Sequence, residues 1–196
     1  MRKRNLAESS EYDLSYVSAA LPLLEDYLLS KDMYWSLAVK PPAGYPPYPQ
    51  LTPGGLLLAL ARLRARQLSS DQSAGFIRLE RELEQIRSRW RVAWEKKSQR
   101  DFSSRLKMWR DFLEEYRVNP ENNYDRYAYE VRKRVMLHLL AGEAGNLPEA
   151  ELEWLAGLDK LLRAVFVSGD FIWAKDLYGG FPPETYWYLY GQLKRG

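Results

Sequence analysis

One histidine and three carboxylate pairs at helical spacing are the side chains here whose types suit acid–base or metal chemistry. His138 lies among Leu137, Leu139 and Leu140. A helical di-iron site needs Glu-x-x-His pairs, but Val135 stands three residues before it; a zinc protease needs His-Glu-x-x-His, and no second histidine exists. His138 therefore reads as a packed or interfacial histidine, with a lone general base as the alternative. Glu80 with Glu84, Asp111 with Glu115, and Glu149 with Glu153 could in principle bind magnesium or share a proton. Arg87, Lys107, Arg110 and Arg105 stand three or four residues from acids of these helices or their neighbours, so a solvated charged face is expected. Gly-rich phosphate loops and Gly-x-Ser-x-Gly are absent. Thr52-Pro53-Gly54-Gly55 puts free amides at a helix N-terminus, an anion-binding geometry that any capped helix start offers. No catalytic, cofactor-binding or metal-ligating residue is assigned.

Two stretches suit binding instead. Arg87 to Arg100 holds six basic groups against one acid, with Trp90 and Trp94 interleaved. Cations can neutralise phosphates while aromatic faces stack on unpaired bases, which makes Arg89, Arg91, Trp94, Lys96, Lys97 and Arg100 candidates for single-stranded RNA or DNA. Against this, the arginines are spread around the helix and could snorkel over its apolar seam. The C-terminal stretch is rich in rings, and Trp173, Tyr178, Tyr186, Trp187 and Tyr190 are candidates for a protein interface. Tyr186, Trp187, Tyr188 and Tyr190 cannot all face one way on a helix, so at least one or two should be exposed or meet another chain; the competing expectation is that the tail folds back and closes the bundle.

The elements that must position these residues are helices. From Phe76 to Arg117 no Gly or Pro intervenes, and Phe76, Leu79, Leu83, Ile86, Trp90 and Ala93 step by threes and fours. The phase then shifts, with Phe102, Leu106, Trp109, Leu113 and Tyr116 on a rotated face. Either one helix roughly 60 Å long, at about 1.5 Å per residue, shows its halves to different partners, or a hairpin turns near Ser98 to Ser104. The single helix is favoured, because that turn would lack Gly, Pro or Asn.

Around it, Leu14, Val17, Leu21, Leu24 and Leu28 predict a first helix, kinked or broken at Pro22. Lys40 to Gln50 carries five prolines in eleven residues and reads as an extended strap, with Tyr45 and Tyr48 packing on neighbouring helices; its PPY and PxxP elements could alternatively engage aromatic grooves. Thr52 and Pro53 form an N-cap and N1 pair opening a Leu-rich helix. Tyr124, Tyr127, Val131, Val135 and Leu139 predict another helix, and Leu152, Leu155, Leu158, Leu162 and Val165 the buried face of one beginning near Pro148. Phe181-Pro182-Pro183-Glu184 opens a last short helix. Strand alternation never exceeds two or three residues.

The expectation is all-α: an irregular bundle of about six helices organised on one long helix at about 73–117, with a flexible tail at 1–10 and one domain at 11–196 containing the proline-rich connector at 40–50. A chain of 196 residues suits one such core. Without cysteine there is no disulfide or thiolate site, and the simplest compartment is the cytoplasm. The longest apolar run, Leu56 to Ala61, is far short of the roughly 20 residues that span a bilayer. Formal net charge is +3, and the basic excess lies in 76–117, with 12 basic and 8 acidic groups. The expected function is a non-catalytic helical protein–protein interaction module, self-associating or with a protein partner and away from membranes. The alternative is single-stranded nucleic-acid binding through 87–100; a third is a helical enzyme or small-molecule binder with an aromatic pocket. No cofactor is expected.

Overall fold

The structure, a computed structural model, describes residues 9–195. Most of the tail expected at 1–10 lies outside these residues; Ser9 is already the N-cap of the first helix, its side chain accepting from the Tyr12 N–H. Helix α1 (Ser10–Leu29) buries Val17, Leu21, Leu24 and Leu28 and runs on through Pro22, whose ring faces solvent. Helix α2 (Pro53–Ala65) opens as expected, with the Thr52 hydroxyl accepting from the Gly55 N–H at 3.1 Å. It is buried on nearly every side and lies against α1, α4 (Arg91–Val118) and α7 (Arg132–Ala141).

Between α1 and α2 the proline strap folds back onto α1. Tyr45 and Tyr48 stack beside Tyr12 at 5.7 and 5.5 Å, and the Tyr12 hydroxyl donates to the Pro47 carbonyl. Gly44, at φ +89°, turns the strap. The Tyr48 ring is half-buried and its hydroxyl meets Ser15, so the PPY segment is engaged by its own chain.

The long helix is interrupted. Helix α3 (Ser70–Arg89) ends at Trp90, whose backbone leaves the helical region at φ −114° and ψ 34°, and α4 begins one residue later. Hydrogen bonds continue across the break, from Trp90 N–H to Ile86 and from Trp94 N–H to Trp90, each 2.9 Å. There is no hairpin turn at Ser98 to Ser104, which lie inside α4. The buried face widens beyond the break: α3 buries only Phe76 and Leu83, whereas α4 turns Trp94, Phe102, Leu106, Trp109 and Tyr116 into the core.

After α4 come the short α5 (Pro120–Asn123), a 3₁₀ turn, α6 (Tyr127–Glu130) and α7, interrupted at Val131 where one helix was expected. Helix α8 (Glu149–Val165) then packs on α4. The fold is predominantly α-helical, as expected, with one departure. Phe166–Phe171 forms β1, and Tyr190–Leu193 forms β2, paired antiparallel with Phe166 opposite Leu193. The last helix is correspondingly short, α9 (Pro183–Tyr186), followed by a 3₁₀ turn. Gly191 enables the pairing, since at φ +147° a Cβ would lie 2.1 Å from the Val167 carbonyl oxygen. Among the described residues no helix is long and apolar enough to cross a membrane.

Candidate functional site

Most of the acid–base and anion sites suggested by residue type are occupied by the fold itself; Glu149 and Glu153 stay exposed on α8. At the N-terminus of α2, the ligand of the free amides is the carboxylate of Asp101 from α4, fully buried, accepting from the Gly54 N–H at 2.7 Å and from Arg105 Nε at 3.0 Å. Arg105 also donates to Thr52 Oγ1 at 3.1 Å. Glu80 pairs with Arg64 and Glu84 with Arg87. His138 packs edge-on to Tyr186 at 5.0 Å; partial burial, and then the charge of Arg134, lower its pKa. No cluster of three or more His, Asp or Glu among the described residues could hold a metal ion.

The nucleic-acid candidates divide. Trp94 is 2% exposed, its Nε1–H donating to Glu143 Oε2 at 2.8 Å beneath Arg87, so no ring face is left for a base. Lys97 is buried too: its Nζ caps the end of α1, donating to Ser30 Oγ at 3.2 Å and to the Asp32 carbonyl, 4.2 Å from the Tyr27 ring. Desolvation, and then Arg100, lower its pKa. Both expectations fail because Trp94 and Lys97 continue the buried side of α3, five full turns and three heptads beyond Phe76. Arg89, Arg91, Lys96 and Arg100 remain exposed, with Arg89 near Glu25 at 3.6 Å and Arg91 paired with Glu95 at 2.8 Å.

The aromatic tail largely serves the fold. Tyr186 is buried against Phe181 and His138. Trp187 sits edge-on to Phe166 with Arg163 at 3.8 Å, the Tyr190 hydroxyl donates to Phe181 O at 2.6 Å, and Trp173 Nε1–H donates to Ala128 O at 3.2 Å. Of the five interface candidates only Tyr178, 56% exposed, stands free of the core.

The unpartnered apolar surface lies one element earlier, on α8. Its start at Glu149, after Pro148, sets Glu149 and Glu151 in the first turn, where the helix dipole favours acids. Of the expected buried face only Leu158 and Leu162 are buried; Leu155 and Val165 are half-buried, and Leu152 is 45% exposed. A second stripe passes along the outer flank: Ala150, Trp154, Gly157, Leu161 and Ala164, stepping by four, three, four and three. Every one of them is exposed, Trp154 at 40% and Leu161 at 54%. One side of the Trp154 ring lies under Arg110 at 5.2 Å. Gly157 has no fold-level reason to be glycine: a Cβ there would meet nothing within 4 Å, and glycine in an exposed helix interior costs about 1 kcal/mol relative to alanine. Beside the stripe stand Glu153 and Lys160, in no ion pair among the described residues, whereas Asp159 is bound to Arg134 and Glu151 to Ser103. The alternation of fours and threes is present in the sequence, but a second apolar stripe overlaps it on the same helix.

No protein-family model, curated protein or solved structure matches the chain.

Proposed function

We propose that the chain is a non-catalytic helical protein–protein interaction module that self-associates through the outer stripe of α8. The observation that carries this reading is the exposed heptad-spaced row Ala150, Trp154, Gly157, Leu161 and Ala164 on a helix whose other flank is already seated on α4. Such a row is the seam by which helices pair, large residues of one entering gaps left by small residues of the other. Trp154 and Leu161 supply the large residues, and Gly157 with the two alanines supplies the gaps, so the row complements itself. Exposed leucine and tryptophan gain by leaving water, and tryptophan is a frequent interface anchor. The free pair of opposite charges at its edge, Glu153 and Lys160, gives a second copy polar partners at the rim.

One four-turn helix against another lies near the lower size limit of specific interfaces, about 1,000 Å² in total, so association should be in the micromolar range. Sedimentation velocity over a micromolar concentration series, comparing the native chain with Leu161→Glu and with Ala156→Glu on the opposite face of α8, is the test. Association that Leu161→Glu alone abolishes supports the reading. A chain monomeric throughout, or association that both variants retain, contradicts it.

A further inference from the structure

A different surface, on α3 and α4, is rich in exposed cations. The outward face of α3 presents Arg78, Arg81 and Arg89 at helical spacing, and beyond the break the outward face of α4 presents Lys96, Arg100 and Lys107. All six are exposed. Among the described residues only Arg89 has an ion-pair partner, Glu25 at 3.6 Å with both groups largely in water. Acids of the same helices are largely neutralised by arginines outside the row. Glu80 is bound to Arg64, Glu84 to Arg87, Glu95 to Arg91, Asp101 to Arg105, and Asp111 and Glu114 to Arg110, which leaves Glu82 as the acid beside the cations with no ion pair among the described residues. The result is a row of positive charge about 44 Å in contour, from the 29 steps between Arg78 and Lys107 at about 1.5 Å each, with successive cations of each helix one turn or two apart.

From this row we infer that the α3–α4 face binds the phosphate backbone of nucleic acid without reading its sequence. A linear row of cations fits a linear polyanion, each phosphate neutralised releasing condensed counterions. Base recognition is excluded from it because Trp94 is buried and Trp90 is half-buried in the core, so no ring is offered for stacking. A flat anionic membrane is the poorer fit: surface-bound helices bury a broad apolar face, and here only Ile77 and Val92 stand exposed beside the cations. The surface differs from the α8 stripe, and the two proposals stand or fall separately.

Fluorescence anisotropy with labelled dT15, dA15 and a 15-base-pair duplex, titrated with the full chain from low to physiological salt, tests the inference. The expected result is binding of dT15 and dA15 with equal affinity and a log–log salt slope of about −0.7 per phosphate contacted, reaching about −4 if all six cations engage. Arg81→Ala/Lys96→Ala/Arg100→Ala should reduce that slope by about 2, while Lys40→Ala/Lys175→Ala, exposed cations elsewhere, leaves it unchanged. Absence of binding at low salt overturns the inference, as does a slope the triple variant does not alter. Binding confined to phosphatidylserine vesicles, or a marked preference for one base, also overturns it.

Discussion

The carboxylate of Asp101 accepts a 2.7 Å hydrogen bond from the backbone N–H of Gly54, so the first turn of α2 is capped by a side chain from the middle of α4. The charge is fully buried and is shared with Arg105. Removing it leaves an orphaned amide and an unpaired, largely buried guanidinium. Asp101→Ala should therefore cost about 3 kcal/mol or more, and Asp101→Asn distinctly less, in urea unfolding. Gly54→Ala should also destabilise, since its Cβ would lie 2.7 Å from the same carboxylate oxygen. Equal stability of Asp101→Ala and the native chain would contradict the cap.

Gly157 separates folding from association. As nothing lies within 4 Å of a Cβ built there, Gly157→Ala should raise the unfolding free energy by up to about 1 kcal/mol through helix propensity. The same methyl group fills a gap in the stripe and should weaken self-association. A variant both more stable and less associated is the expected outcome of paired urea and sedimentation measurements; tighter association would count against the stripe.

Alkaline pH should unfold the protein through its buried phenols. Burial raises the pKa of Tyr16, Tyr27 and Tyr188, and among the described residues the Tyr16 and Tyr188 hydroxyls have no hydrogen-bond partner. Above pH about 10 these tyrosines ionise in the unfolded chain but stay protonated in the folded one. The folded state then binds more protons, so stability falls as pH rises, by up to about 1.4 kcal/mol per pH unit for each of them. The urea midpoint should be lower at pH 11 than at pH 9, with tyrosinate absorbance rising at the unfolding transition. An unchanged midpoint would refute this.

Gly191 governs the two-stranded sheet. With φ at +147° and a would-be Cβ 2.1 Å from Val167 O, Gly191→Ala should cost about 2 kcal/mol or more. Faster amide exchange should appear at Lys194, whose N–H donates to the Val165 carbonyl at 2.9 Å. Protection unchanged at Lys194 would show that the sheet tolerates the substitution.

Local chemistry was legible where one residue type decides the backbone. Thr52 and Pro53 mark the start of α2, and the prolines of 40–50 mark a strap held by Tyr45 and Tyr48. The break at Trp90 was not legible, since Trp90 carries no Gly or Pro signal. Burial of Lys97 was masked by its charge: it stands three heptads after Phe76, on the buried side, but a lysine there reads as exposed until Ser30 and the Asp32 carbonyl are seen to receive it. The two-stranded sheet escaped because Phe166–Phe171 is solvent-exposed over most of its length and pairs with a distant strand formed at a glycine of positive φ. On α8 two apolar stripes share one helix, and periodicity alone does not say which is spent on the core; the seating of Leu158 and Leu162 on the body does.

Sedimentation velocity of the native chain beside Leu161→Glu decides whether the outer stripe of α8 is an interface. Self-association through the stripe gives a sedimentation coefficient that rises with concentration for the native chain and stays at the monomer value for Leu161→Glu, with equal helical content in both. A native chain that remains monomeric across the micromolar range, or a Leu161→Glu chain that associates equally well, would contradict it.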